Sequence, residues 1–258
     1  MSDALQLERH GHTALLTFNN PPAHTWTPES LRELAAIVEQ LDADKNNFSL
    51  VLTGSGDKFF SAGADLKRFN HDDKGRAFEF ASAFGESFAT LARYRGVSIA
   101  AINGYAMGGG LEVALSCDVR IASPTAQMAL PEAGVGLLPC GLGSQQLAWL
   151  VGEQWAKRMI LLGERLDAGK ALKIGLVSEI VEQGSVVDAA LALAGNAAKQ
   201  SPTSIRYCKE LIMAARKQPL ESNFTSEREL FVKLWDSNDQ KEGVAAFLEK
   251  RKAKWSNS

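Results

Sequence analysis

The chain has 258 residues, 45% of them hydrophobic, which is ample for a large buried core in one or two domains. Thirty acidic against 28 basic residues leave a net charge of −2, so no global positive field exists to attract phosphate backbones, and nucleic-acid binding is not expected. Charged residues or glycine interrupt every apolar run short of the roughly 18–20 residues that a membrane helix needs.

The start, Met1 to Arg9, carries Asp3 and Glu8 and lacks the basic and apolar segments of a secretory signal. The cysteines Cys117, Cys140 and Cys208 are odd in number and contain no C-x-x-C pair, which argues against a disulfide framework or a zinc site. A soluble cytoplasmic protein with reduced thiols and no membrane association is expected.

Leu5 to Glu8 and Ala14 to Phe18 read as strands. Thr27-Pro28-Glu29 opens a helix whose Leu31, Leu34, Ile37, Val38 and Leu41 keep 3.6-residue spacing. Ser49 to Thr53 is the next strand, followed by the small-residue segment Ser61 to Asp65. A helix from Arg76 to Tyr94 carries Phe80, Phe84, Phe88 and Leu91 as a core stripe. Ser98 to Ile102 and Val119 to Ala122 read as buried strands, with a helix start from Met107 between them. From Ser144 onward the pattern is helical, apart from one strand at Leu176 to Val181. Short strands alternating with helices predict an α/β core over residues 1–195 and a helical C-terminal lobe over 196–258. No fixed-period repeat is present.

Several chemistries are excluded by spacing. There is no G-x-S-x-G nucleophile elbow, no G-x-x-x-x-G-K-[ST] phosphate loop and no G-x-G-x-x-G fingerprint. His10 and His12 lack a third ligand at metal spacing, and His24 and His71 read as loop residues.

The informative stretch is Ser98 to Leu147. Glycine is disfavoured inside helices, so three in a row at Gly108 to Gly110 need a reason. One is close helix packing; the other is room for an anion on bare main-chain amides at a helix start. Glu112 is the only charged residue between Arg95 and Asp118 and shares a helical face with Gly108 and Gly109. Glu132, after Pro131, reads alone as a surface acid. Two carboxylates in apolar surroundings beside amide donors are, however, what proton movement next to a carbonyl requires.

Three segments in order resemble the enoyl-CoA hydratase/isomerase (crotonase) superfamily: Phe60 to Lys67, Ser98 to Asp118, and Leu130-Pro131-Glu132 through Pro139. The likeness extends to Glu242–Lys252. It implies a crotonase-like ββα spiral with a C-terminal helical lobe, assembled as a homotrimer or homohexamer. It implies an oxyanion hole from the amides of Ala64 and Gly109, and Glu112 and Glu132 as the two acids that hold a water. Ala23, His24, Ala62, Asp65, Leu66, Lys67 and Gly108 would line the acyl-CoA site, and Phe231 and Lys250 would reach the CoA of a neighbouring subunit. The implied reaction is hydration of a trans-2-enoyl-CoA, with no metal or redox cofactor and CoA present only as part of the substrate. A double-bond isomerase, another reaction of the superfamily and a non-catalytic acyl-CoA-binding protein are the alternatives. Two departures carry expectations: Trp26 stands where the family is small and would alter the groove, and Cys140 stands where glycine is common, with an amide available to orient Glu132.

Overall fold

The computed structural model describes residues 4–69, 72–182, 185–217 and 219–258; His71 lies outside them. Leu5–His10 (β1) and Thr13–Phe18 (β2) form an antiparallel hairpin turned at Gly11, whose φ of +61° suits glycine. Ser49–Gly54 (β3) then pairs parallel to β2. Between them lies Pro28–Ala43 (α1), started by a reciprocal cap in which the Ser30 N–H donates to Thr27 Oγ1 and the Thr27 N–H to Ser30 Oγ. Its buried stripe is Leu31, Leu34, Ile37, Val38 and Leu41, as the spacing predicts.

The chain then steps three times from a first sheet to a second and returns through a helix. β3 leads to Phe59–Ser61 (β4) and Lys74–Ala92 (α2). Val97–Ile102 (β5) leads to Tyr105–Met107 (β6) and Gly109–Leu115 (α3). Val119–Ala122 (β7) leads to Gln127–Ala129 (β8) and Gly143–Leu161 (α4). This is the ββα spiral. Its units share no sequence period because their helices differ in length, 19 residues for α2 and α4 but 7 for α3.

The chain continues through Leu166–Asp167 (β9), Ala168–Lys173 (α5), Glu179–Ile180 (β10) and Val186–Ala197 (α6). Pro202–Ala214 (α7), Leu220–Lys233 (α8) and Asn238–Leu248 (α9) complete it. The first sheet has the order β1-β2-β3-β5-β7-β10 and the second β4-β6-β8-β9. The sequence reading is corrected in two places. The second sheet is not anticipated, since its strands are too short for any alternation to register. The strand expected over Leu176 to Val181 shrinks to β10. The turn signal that the sequence carries at Gly152 is met by a break in α4, where φ is +79°.

Both faces of the first sheet are covered, so β3 is buried throughout. Leu50 and Leu52 face the main core, while Val51, Ile99 and Ile121 pack with Ala190 and Ala194 of α6. Asn103 holds the turn after β3, its Nδ2 donating to the Gly54 and Gly56 carbonyls at 2.9 and 2.7 Å. No helix among the described residues is long and apolar enough to cross a membrane.

α3 lies so close to β4 that a Cβ on Gly110 would stand 2.0 Å from the Ser61 carbonyl oxygen, whereas one on Gly134 would meet nothing within 4 Å. Gly110→Ala is therefore expected to destabilise the fold by about 2 kcal/mol or more, and Gly134→Ala to stay within about 0.5 kcal/mol of the native protein. Urea denaturation of the two variants checks this; equal midpoints would refute the close approach.

Candidate active site

A cavity of about 400 Å³ opens between α2, α3 and the segment that joins β8 to α4. Ala64, Phe69, Ala77, Ala81, Phe84, Gly109, Leu137, Leu138 and Cys140 line it, and its two carboxylates are Glu112 and Glu132. The rest of the described wall is apolar, so among the described residues neither acid has a cation in the cavity to balance it.

Each of the three glycines has its own reason. Gly108 has φ +53° and ψ −127°, and a Cβ there would lie 3.0 Å from Glu132 Oε1. A Cβ on Gly109 would stand 2.5 Å from Phe84, and Gly110 is forced by β4. Packing and access to the cavity are thus both served. The helix begins at Gly109, not Met107, which belongs to β6.

Glu112 is buried, 2% exposed. Its Oε1 accepts from the Gly141 and Gly143 N–H groups, both at 2.8 Å. Gly143 is the first residue of α4, so the positive end of a long helix meets the carboxylate. Burial nevertheless pushes the Glu112 carboxyl up to about 7, with the charge of Glu132 adding to the rise and the two amides opposing it. Glu132 opens a 3-10 turn over Glu132–Val135 and is pushed up to about 6 by burial; its Oε2 is buried without a partner.

The amides expected of the Cys140 loop therefore serve the other acid: among the described residues Gly141 and Gly143 hold Glu112, and the Cys140 amide has no bond to Glu132. The Cys140 thiol lines the cavity, but burial, followed by the charges of Glu112 and Glu132, pushes it up to about 12. It stays protonated at neutral pH and is a poor nucleophile.

The Ala64 loop is drawn against α3. Trp26 N–H donates to the Gly63 carbonyl at 2.8 Å and Asp65 N–H to the Trp26 carbonyl at 3.2 Å, a parallel bridge that turns the Ala64 N–H away from Trp26. A Cβ on Gly63, where φ is +87°, would lie 3.0 Å from the Gly109 nitrogen. Among the described residues, neither the Ala64 nor the Gly109 amide has an acceptor in the protein. Two free main-chain donors and two carboxylates of raised pKa thus share one apolar cavity.

A family model described as enoyl-CoA hydratase/isomerase matches residues 8–258. The chain belongs to the enoyl-CoA hydratase/isomerase family. It is similar to the short-chain-enoyl-CoA hydratase of Clostridium acetobutylicum, 34% identical over 247 residues and 95% of either chain. Among solved structures it is similar to Pseudomonas aeruginosa DspI, with TM-score 0.96 and 58% identity over 98% of this chain and 97% of that one. It is also similar to the Bacillus anthracis enoyl-CoA hydratase, with TM-score 0.94 and 30% identity over 99% and 100% of the two chains.

Of the residues nominated through the family resemblance, Glu112, Glu132, Ala64 and Gly109 meet at the cavity, and Gly108 abuts Glu132. Asp65 leads into the exposed turn Leu66–Phe69, so Asp65, Leu66 and Lys67 lie beside the cavity without lining it. Ala23 and Ala62 meet through the main chain, the Ala62 N–H donating to the Ala23 carbonyl at 2.9 Å. His24 is 5% exposed, with Nδ1 accepting from the Asn20 N–H at 3.1 Å and Nε2 3.0 Å from the Ser55 carbonyl. It clamps its turn rather than walling the cavity. Trp26, expected at the groove, is core, edge-on to Phe18 and Phe88. Phe231 and Lys250 are exposed and away from this protomer's cavity wall. Sequence reasoning missed Gly141, Gly143, Ala77 and Ala81. Ala77 and Ala81 stand one turn apart on the face that ends at Phe84, a signal the spacing already contained.

The raised Glu112 pKa carries a stability signature. The folded protein holds this proton more tightly than the unfolded chain, so the proton's contribution to stability is full below the ordinary 4.5, falls as pH rises towards about 7 and is gone above it. Gln at 112 cannot ionise, yet keeps an oxygen for the two amides. Glu112→Gln should thus gain stability relative to the native protein as pH rises from about 5 to about 8, by an amount of the order of 2–3 kcal/mol. Thermal melts across that range check it; a difference independent of pH would contradict a buried ionisable Glu112.

Proposed function

We propose that this chain is an enoyl-CoA hydratase, adding water reversibly across the 2,3 double bond of a trans-2-enoyl-CoA to give the 3-hydroxyacyl-CoA. The observation that carries the reading is the facing pair of carboxylates beside two unpartnered amides in one apolar cavity. In this reading the thioester oxygen sits on the Ala64 and Gly109 N–H groups. Glu112 takes a proton from the water whose oxygen adds at C3, electrons move onto the thioester oxygen as an enolate, and Glu132 delivers a proton to C2. Addition of water changes no oxidation state of the whole, and the developing charge falls on fixed dipoles, so the reaction calls for neither metal nor redox cofactor; CoA enters with the substrate.

With no cation near among the described residues, the acids are best read as a pair sharing one proton at neutral pH, one as base and the other as acid. Burial raises both, Glu112 to about 7 and Glu132 to about 6, so the pair keeps a proton near neutral pH; that proton rests first on Glu112, and the proposed step starts from the form in which it has passed to Glu132. The reading includes a cytoplasmic homotrimer or homohexamer in which Phe231 and Lys250 approach a neighbour's CoA. The exposed Phe231, Trp235, Phe247 and Leu248 of the C-terminal lobe support such an assembly.

Double-bond isomerisation is the second reading. Glu112 is already committed to two amides, whereas Glu132 Oε2 is buried and unpartnered, as a single working acid would be. Loss of the conjugated enoyl-thioester absorbance with crotonyl-CoA decides between them. Hydration is expected, with Glu112→Gln and Glu132→Gln each lowering kcat by about 10²- to 10⁴-fold, and with a bell-shaped pH profile whose limbs belong to the pair. Full activity in Glu112→Gln alongside its loss in Glu132→Gln would favour the isomerase, and no turnover on short, long or branched enoyl-CoAs would reject hydration.

A further inference from the structure

The turn that holds Glu112 places its residues unexpectedly. Gly141 and Gly143 both donate to one carboxylate oxygen, and between them stands Leu142 with φ +74° and ψ 0°. A left-handed residue between two N–H groups is what curls a main chain into an anion-holding concavity. The strained position thus carries a leucine, while the glycines occupy positions that need space rather than a positive φ. A Cβ on Gly141 would stand 2.4 Å from Phe88, and one on Gly143 would stand 2.7 Å from Glu112 Cγ. A branched aliphatic side chain in this backbone region persists only where surrounding packing imposes it.

The Leu142 side chain is half-buried and lies on the side away from the active site. Leu142 does not line the cavity of Glu112 and Glu132; it lines a separate cleft with Ala89 and Ala92 of α2, Trp149 of α4 and Met213 of α7. The Leu142 carbonyl also accepts from the Gln145 and Gln146 N–H groups at 3.1 and 2.9 Å, so the same residue begins α4. One residue therefore joins the helix start, the amide pair and the first helix of the C-terminal lobe.

We infer that Leu142 is the positioning residue for Glu112: seated in the α2–α4–α7 cleft, it holds residues 141–143 in the left-handed turn that aims two amides at one carboxylate oxygen. The inference rests on the reading of Glu112 as a working acid, and it makes α7 part of what sets the protonation of that acid. Among the described residues the titratable groups that face Glu112 are Glu132, from its 3-10 turn, and the Cys140 thiol; α2 presents Phe88, and no described cation lines the cavity.

The test compares Leu142→Val, for which the left-handed region is costly, with Leu142→Gly, for which it is free. Met213→Ala, across the cleft and outside the active-site cavity, is made in the native and in the Leu142→Gly backgrounds. Two readouts are taken: kcat and KM on crotonyl-CoA against pH, and titration of the Glu112 carboxyl by 13C NMR, assigned with Glu112→Gln. Leu142→Val is expected to lower kcat about tenfold with KM changed less than about twofold, and to move the Glu112 midpoint up by about one unit as an amide is lost. Leu142→Gly should recover most of both changes. Met213→Ala should shift the midpoint the same way in the native background and leave it unmoved in the Leu142→Gly background. A Leu142→Val protein that melts lower but keeps the native midpoint and kcat would overturn the inference, as would a Leu142→Gly protein no better than Leu142→Val. Should Leu142→Val fail to fold, an unshifted midpoint in Met213→Ala overturns it equally. The NMR titration needs no turnover, so failure of the hydratase reading and failure of this inference are told apart.

Discussion

A carboxylate buried without a cation is the constraint around which this molecule is arranged. Glu112 sits in the middle of an apolar helix, and its charge is met only by two main-chain N–H groups, while a second acid raises the cost of ionising it. Every neighbouring segment reflects that requirement. Gly141 and Gly143 must be glycine because the carboxylate and Phe88 leave no room for a Cβ, and α4 must start where it does so that its first free N–H reaches Oε1. Gly108 must yield its side-chain space to Glu132. The spiral makes this possible by bringing three consecutive sheet-to-helix returns to one side, so that the starts of α3 and α4 face the same cavity.

The turn over residues 20–26 shows how a departure from a family pattern can act at a distance. Trp26 does not touch the cavity, but its main chain is bridged to Ala64, and its indole lies edge-on to Phe18 and Phe88. Phe88 is in turn edge-on to Phe84, which walls the cavity. A large side chain at 26 therefore fills core space while its main chain is bridged to the Ala64 loop. The His24 ring, bonded to Asn20 and Ser55, and the Ser61 hydroxyl, donating to the His24 carbonyl at 2.7 Å, tie the same turn to β4. What looks in sequence like a binding-groove variation is in structure a support for a main-chain donor.

These particulars explain what could be read from the residues alone. The stripe of α1 and the strands of the first sheet were legible because they run long enough for a period to show and because burial on both faces leaves near-continuous apolar runs. β4, β6, β8 and β9 were not, since two or three residues carry no period, and their placement comes from pairing with partners distant in sequence. Glu112 was legible as a lone charge in an apolar stretch. Glu132 was not distinguishable from a surface acid by its neighbours and gained weight only as a partner to Glu112 and through the resemblance of the whole segment. Gly141 and Gly143 escaped because a glycine required for room leaves no local signature, and Leu142 escaped because sequence shows the residue but not its φ.

Local rules are obeyed over most of the chain: the helix caps of α1 and α7, the alternation that splits Leu50 and Leu52 from Val51, and the hairpin glycine all agree with the observed fold. The violations gather in one place. A buried pair of acids, a left-handed leucine, a glycine at φ +53° and two idle amides lie around a single cavity. Each would be removed by selection for stability alone, because a neutral residue at 112 or a glycine at 142 relieves the local cost. The proposed hydration accounts for the acids and the idle amides, since it needs developing negative charge held on fixed dipoles and one proton movable between two carboxylates. The same low dielectric that destabilises the acids strengthens those dipoles, so the instability and the chemistry have one physical origin.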